Sequence, residues 1–370
     1  MSKRLKSTPR EDGFKMPGEF VEQDSCWMAW PQRTDVWRGG AKPIQEAVVN
    51  VANAISKYEP LNVIVSAGEY ENARARLGKN VRVIETSSND IWMRDIGPSF
   101  VINDKGEIRG IDWIFNCWGG FNGGYYFPWD LDDKAAFKVC ELIGADSYRT
   151  DFVLEGGSIH VDGEGTCYTT EECLLNKNRN PDLTKKQIED RLKKFLNVEK
   201  VIWLPLGVYN DKTSGHVDNL LHVVAPGHVV LTWTDDKNDP QYERSLKALK
   251  VLENETDAQG RKIKVTKIHQ PGPLFYTEKE VSTLGYNLDK QCLHEVERLA
   301  GSYCNFLMVN GAIILPVFND KWDQKAIDTL QKIFPDRKIE PVYAREILLG
   351  GGNIHCITQH QPKVKNKKAK

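Results

Sequence analysis

Apolar positions along the chain follow two rhythms. Short runs rich in β-branched and aromatic residues, bounded by Gly, Asn, Asp or Pro, predict strands over 61–67, 81–86, 100–103, 108–115, 158–162, 166–169 and 201–206. The same pattern predicts further strands over 220–225, 228–234, 262–269, 305–310, 312–317, 338–342 and 354–359. Between them, apolar residues recur at helical spacing over 43–57, 132–143, 184–195, 240–253, 289–299 and 323–333. Pro43 and Pro240 open two of these helices, in a first turn that has no amide bond to lose. Hairpins alternating with single helices imply a mixed α/β fold. No linker rich in Pro, Gly or Ser divides the chain, so one domain over 1–370 is expected, with its core from about 13 to 360 and a basic, solvated tail over 361–370.

A repetition runs beneath this pattern. Trp92, Met93, Arg94 and Asp95 precede the first long hairpin, Glu155 to His160 the second, and His216, Val217 and Asp218 the third. Tyr303 and Cys304 precede the fourth, and a fifth member is Gly350 to Cys356. Steps between the marked residues are 60, 61, 88 and 52 (95 to 155, 216, 304 and 356). Glu155-Gly-Gly-Ser-Ile-His160 and Gly350-Gly-Gly-Asn-Ile-His355 share Gly-Gly-x-Ile-His. Five units of one supersecondary type point to radial or solenoid repetition, in which equivalent ends converge.

Composition narrows the classes of function. Fifty basic side chains stand against 51 acidic ones, which leaves no basic excess for nucleic acid or a membrane surface. The longest apolar run, 306–317, falls short of the ~20 residues a bilayer requires and is broken by Asn310 and Gly311. Residues 1–15 lack the apolar core of a secretory signal. Eight cysteines with no Cys-x-x-Cys pair argue against a disulfide framework or a structural zinc. The expectation is a cytoplasmic protein with reduced thiols.

Cys356 is the leading candidate for chemistry. It follows Gly350, Gly351 and Gly352, which allow close backbone approach to a ligand, and a thiol there is a nucleophile if its surroundings favour thiolate. For a lone cysteine a small buried apolar role is commoner, and that is the reading for Cys26, Cys117, Cys140, Cys167, Cys173, Cys292 and Cys304. His216 and Asp218 share a face if a strand starts there, which suits an acid/base beside a substrate-holding carboxylate. His160 and His355 read as supporting residues, because a strand would turn His355 from the face of Cys356. No His-Glu-x-x-His spacing occurs, and no metal is expected. Asp95, Glu155 and Asp218 fall at equivalent points of three repeats. Three like charges at one centre would repel unless a cation lies among them, and a guanidinium, planar and permanently charged, fits that place. Trp92 could stack on such a cation, although a core role is the commoner fate of tryptophan. The loop Trp118-Gly-Gly-Phe-Asn-Gly-Gly124 lacks a phosphate-binding pattern and reads as a flap or a surface loop.

These residues sit in long motifs: Asn89-Asp-Ile-Trp-Met-Arg-Asp-Ile-Gly-Pro98, Val153-Leu-Glu-Gly-Gly-Ser-Ile-His-Val-Asp-Gly163, Gly215-His-Val-Asp-Asn219 and Gly350-Gly-Gly-Asn-Ile-His-Cys-Ile-Thr-Gln359. With them, and over about 13–359, the chain resembles the plant-type agmatine deiminases of the guanidino-group-modifying, or pentein, superfamily. The resemblance implies an α/β propeller of five ββαβ units around a central site. It implies hydrolysis of agmatine to N-carbamoylputrescine and ammonia, on the way to putrescine and other polyamines, with no cofactor and as a homodimer. By matching residue, Cys356 would attack the guanidinium carbon and His216 would serve as acid, then base. Asp95 and Asp218 would hold the nitrogens, and Glu155 would orient His216; Trp92 and Gly351 would line the site. One position departs. Where the family places an acid for agmatine's far ammonium, this chain has Lys212, with Asp211 beside it, and Ser214 stands for the usual Asn. Either Asp211 takes the role or the far end is not cationic, in which case arginine is the rival substrate. Two other classes are an amidinotransferase, separated by product analysis with added amine, and a non-catalytic guanidine binder, which would have lost the catalytic residues. A papain-like protease would carry its cysteine near the N-terminus instead.

Overall fold

The computed structural model describes residues 2–283 and 297–364. Five of its sheets share one plan, an antiparallel pair and then a parallel strand reached through a helix. Ser99–Ile102 pairs antiparallel with Ile108–Ile114, and Ser147–Val153 joins in parallel after the Asp132–Ile143 helix. The plan recurs in His160–Val161, Thr166–Thr170 and Lys200–Leu204, with the helix Lys185–Leu196. It recurs in Leu221–Ala225, His228–Trp233 and Lys264–His269, with the helix Pro240–Asn254. The next copy is Leu307–Val309, Ala312–Val317 and Lys338–Tyr343, with the helix Asp323–Ile333. Both ends of the chain build the fifth. Gln359–Pro362 runs antiparallel to Gln23–Ala29, and Leu61–Val65 and Val81–Glu85 follow in parallel after the helix Lys42–Ile55. Parallel neighbours cannot be joined by a tight turn, which is why each parallel step contains a helix.

Local chemistry fixes these helices. In Lys185–Leu196 the Thr184 side chain accepts from the Gln187 amide while the Gln187 side chain accepts from the Thr184 amide, which satisfies two otherwise free donors. Ile188, Leu192, Phe195 and Leu196 form its buried stripe, and Asn197 ends it in the left-handed region at φ 54°. In Asp132–Ile143 the stripe is Ala135, Ala136, Val139 and Cys140, and Gly144 closes the helix at φ 70°.

Three expectations need correction or fall away. The segment 354–359 is not a strand: residues through Ile357 form turns, and the strand begins only at Gln359. The reason is local. The Asn305 side chain accepts from the amides of His355 (3.0 Å) and Cys356 (3.3 Å), so these groups pair with a side chain rather than with a neighbouring strand. The 289–299 helix lies mostly outside the described residues, and its end, Arg298–Leu299, is a strand paired with Leu274–Phe275. Most of the basic tail, and Cys292, also lie outside them. Two strands of the five sheets lie outside the predicted ones: Gln23–Ala29, buried at nearly every position and so without alternation, and Ser147–Val153, in which Tyr148, Thr150 and Phe152 are buried and alternate with more exposed Arg149, Asp151 and Val153. Among the described residues no helix is long and apolar enough to cross a membrane.

Candidate active site

The marked residues of four of the five repeats gather at one place; from the fourth it is Asn305 that reaches it, whereas Tyr303 bonds to Asp323 and Cys304 lies against Val230. Asp95 lies on the single helical turn Met93–Ile96, and Glu155 stands just before the Gly156–Ser158 turn. His216 caps the turn Val217–Leu220, which carries Asp218. The two are therefore not on one face of a strand as the alternation predicted, yet both reach the same neighbour. A Cβ built on Gly157 would stand 2.6 Å from His216 Nδ1 and 3.0 Å from oxygens of both Asp218 and Asp95, so only glycine fits where these three groups meet. Cys356 joins from the terminal turn, with its Sγ 3.8 Å from Asp218 Oδ2 and 3.4 Å from Asn305 Oδ1.

A cavity of about 310 Å³ opens onto this centre. Trp92, Asp95, Cys356 and the strip Gly350–Gly351–Gly352 line its depth and one wall, with Trp118, Tyr125, Lys212 and Thr213 around them. The Trp118 indole is buried and donates to Asp95 Oδ2 (3.0 Å), so part of the glycine-rich loop is structural wall, while Phe121 at its tip is 85% exposed. Gly352 is held small: an added Cβ would lie 2.5 Å from the Trp92 ring and 3.1 Å from Cys356 Sγ.

Behind the cavity wall is a charge network that sequence spacing did not reveal. Glu155 Oε2 lies 3.4 Å from His216 Nε2, and Glu155 Oε1 accepts from Arg179 Nε at 2.7 Å. Arg179 also donates to the carbonyls of Trp118 and Thr213, which ties two wall segments together. His355 spans two carboxylates, Asp218 through Nδ1 and Glu19 through Nε2, both at 2.8 Å. Arg94 Nη1 stands 3.7 Å from Glu19. His355 thus points away from the cavity, while its bond to Asp218 ties it directly to the centre. Glu19, Arg179 and Asn305 lie outside the motifs singled out in the sequence, and Arg94, although inside the Asn89–Pro98 motif beside Asp95, is given no role there.

Protonation follows from these contacts. Burial pushes Asp95 up, and despite the opposing His216 charge its pKa reaches about 6. Burial, the largest influence on each, opposes ionisation of Asp218 and Glu155, but His355 with His216 and Arg94 at Asp218, and Arg179 with His216 at Glu155, together outweigh it, so both carboxyls sit below their ordinary range. Burial would keep His216 neutral, yet Asp95, Cys173 and Glu155 outweigh it and raise the imidazole well above its usual value. Burial, then the charges of Asp218 and Asp95, push the Cys356 thiol well up, which favours thiol over thiolate. Among the described residues, Asp218 Oδ1 and His216 Nδ1 are two of several buried polar atoms here without a hydrogen-bond partner, with Arg94 Nη2 and Asn305 Nδ2.

Two buried groups carry metal-type donors, His160 with His222 and His355, and Glu155 with Cys173 and His216. In the second the Arg179 guanidinium already meets the Glu155 carboxylate; the first holds no carboxylate, and its His355 bonds to Glu19 and Asp218 outside the group. Asp211 turns inward, where its oxygens accept from Thr213 (2.9 Å to the amide) and Asn219 (3.0 Å), and it does not line the cavity. Lys212 does line it, and its ammonium is paired with Glu297.

Comparison with known proteins gives a consistent picture. The model of the Porphyromonas-type peptidyl-arginine deiminase family matches residues 15–362. A protein of Mycoplasma capricolum subsp. capricolum is 64% identical over 365 residues, 99% of this chain and 100% of its own. The agmatine deiminase of Pseudomonas aeruginosa is 57% identical over 358 residues, 96% of this chain and 97% of its own. Among solved structures, the agmatine deiminase of Enterococcus faecalis superposes with a TM-score of 0.95 at 49% identity, covering 98% of this chain and 100% of that one. The mixed α/β fold is the one those structures have. The chain belongs to the Porphyromonas-type peptidyl-arginine deiminase family, alongside these agmatine deiminase relatives.

Proposed function

We propose that the chain hydrolyses agmatine to N-carbamoylputrescine and ammonia through an amidino-cysteine intermediate. The observation that carries the reading is a cavity lined by the Cys356 thiol and the Asp95 carboxylate, with His216, Asp218 and Glu155 close behind them and Asp218 Oδ1 without a hydrogen-bond partner among the described residues. A guanidinium in that place neutralises Asp95 and Asp218 and gives the unpaired oxygen a donor. Its charge also reverses the effect that holds Cys356 as thiol, so the proton leaves to solvent as the cation binds and the nucleophile forms with its target in place.

Cys356 Sγ then adds to the guanidinium carbon. His216, charged by its carboxylate neighbours, gives a proton to the terminal nitrogen, the C–N bond breaks and ammonia departs. The neutral imidazole next takes a proton from water as its oxygen adds to the amidino carbon. The C–S bond breaks, the hydroxyl proton of the adduct passes to the departing sulfur, and the neutral ureido product leaves Cys356 as the thiol and His216 charged, as at the start. Glu155 orients His216, Asp95 and Asp218 hold the nitrogens, and Trp92 and Gly351 shape the wall. The chemistry asks for no metal or organic cofactor.

Agmatine is favoured over arginine and other guanidines by the names of the near relatives, and product analysis with added amine separates hydrolysis from amidino transfer. The five equivalent sheets support a radial arrangement about this centre, the pentein propeller, within one catalytic domain. A cytoplasmic homodimer is the assembly we infer, to be tested by sedimentation. The test of function is ammonia release from the purified protein with agmatine. Cys356→Ala is expected to fold and to show no turnover, and His216→Ala to lose at least 100-fold, within the range for a general acid–base. Multiple turnover by Cys356→Ala would overturn the covalent route.

A further inference from the structure

The far end of the cavity holds a feature that the proposed chemistry does not use. A Cβ on Gly352 would lie 3.1 Å from Cys356 Sγ, and one on Gly351 would lie 3.3 Å from Lys212 Cγ. Two neighbouring glycines therefore run from the thiol to Lys212, and Gly351, at φ 101°, presents bare backbone between them. Asp95 is the one carboxylate among the described residues that line the cavity, and it belongs to the reacting end. Asp211 is turned inward. The acid that remains at the mouth is Glu297, paired with the Lys212 ammonium, both side chains being partly exposed. Its charge also reaches the wall: Tyr125 is pushed up to about 12 by burial, then by Asp90 and Glu297.

We propose that Glu297 takes the far ammonium of the substrate and that Lys212 is a competing cation which the substrate must displace from it. This deepens the proposed function and rests on it. A bare lysine at the mouth would repel a second ammonium. A lysine already neutralised by Glu297 leaves a carboxylate that one cation can exchange for another of the same kind. Exchange between like cations gains little, so the pair weakens binding of a dicationic guanidine without blocking it. A guanidine with an uncharged tail does not exchange, and its binding is indifferent to the pair.

The test measures kcat and KM for agmatine, butylguanidine and arginine, with the wild type, Lys212→Met and Glu297→Gln. Removing the competitor should lower the KM for agmatine about threefold to tenfold, and removing the acid should raise it by a similar factor, with kcat little changed. Butylguanidine should keep its KM in both variants. Equal KM changes for agmatine and butylguanidine would overturn the inference, since the pair would then act only by packing. An arginine preference that vanishes in Lys212→Met would also overturn it, because the pair would then be reading an α-amino acid end. Unchanged KM values in both variants would refute it while leaving the deiminase reading intact. Ammonia release from none of the three compounds by the wild type would overturn the function itself, and this inference with it.

Discussion

Asp95 shows how single residues set the working conditions of the centre. It must be ionised to hold a cation, and its pKa in the folded protein is about 6, because burial and two neighbouring carboxylates outweigh the His216 charge. As pH rises through 6 the carboxylate forms and binding strengthens; as pH falls through 6 it is lost. We therefore expect kcat/KM for agmatine to decline below about pH 6, and a profile flat from pH 7 down to 4.5 would contradict this role. The neighbouring Asp218 is held below its ordinary range by His355, so the two carboxylates that would flank one guanidinium differ in environment. Sequence spacing exposed Cys356, Asp95, Glu155, His216 and Asp218 because each stands next to glycine or inside a long polar motif. It could not expose Glu19, whose four basic neighbours, Arg94, His222, His355 and His360, come from remote parts of the chain.

At the scale of elements, each reactive group is carried on a short turn that ends where a hairpin begins. Such turns are anchored by buried apolar residues, Met93, Ile96, Val217, Leu220 and Ile357, and pinned by polar side chains: Asn305 holds the Cys356 turn and Arg179 bridges Glu155 to the wall. Close approach of backbone to these groups is the price of that compactness, and it makes a specific expectation for Gly352. A methyl group there meets the Trp92 ring at 2.5 Å and Cys356 Sγ at 3.1 Å. Gly352→Ala should cost about 1–3 kcal/mol by overpacking, read from thermal unfolding, and should reduce turnover by more than the loss of stability explains. Wild-type activity in that variant would mean that the turn relaxes freely. The helices between strands were legible because their buried stripes keep a 3.6-residue period. Gln23–Ala29 was not, because a strand covered on both faces shows no alternation, and 354–359 misled because an apolar and β-branched run can also be a side-chain-capped turn.

For the molecule as a whole, the joining of its two ends is the main long-range constraint. Gln359–Pro362 completes the sheet that Gln23–Ala29 begins, and Gln361 Oε1 accepts from the buried Trp27 indole at 2.9 Å and from Ser25 at 3.2 Å. Gln361→Leu leaves that indole without a partner, and we expect a loss of about 1–3 kcal/mol in unfolding free energy with kcat retained. An unchanged melting temperature would show that the indole finds another acceptor. The same closure sets an order of events during synthesis. Asp95, Glu155, His216 and Asp218 all precede residue 356 by well over a hundred residues, and the strand Gln359–Pro362 follows it directly. A product interrupted before residue 356 therefore lacks the thiol altogether, and the centre becomes competent only after that residue has been added to all the others.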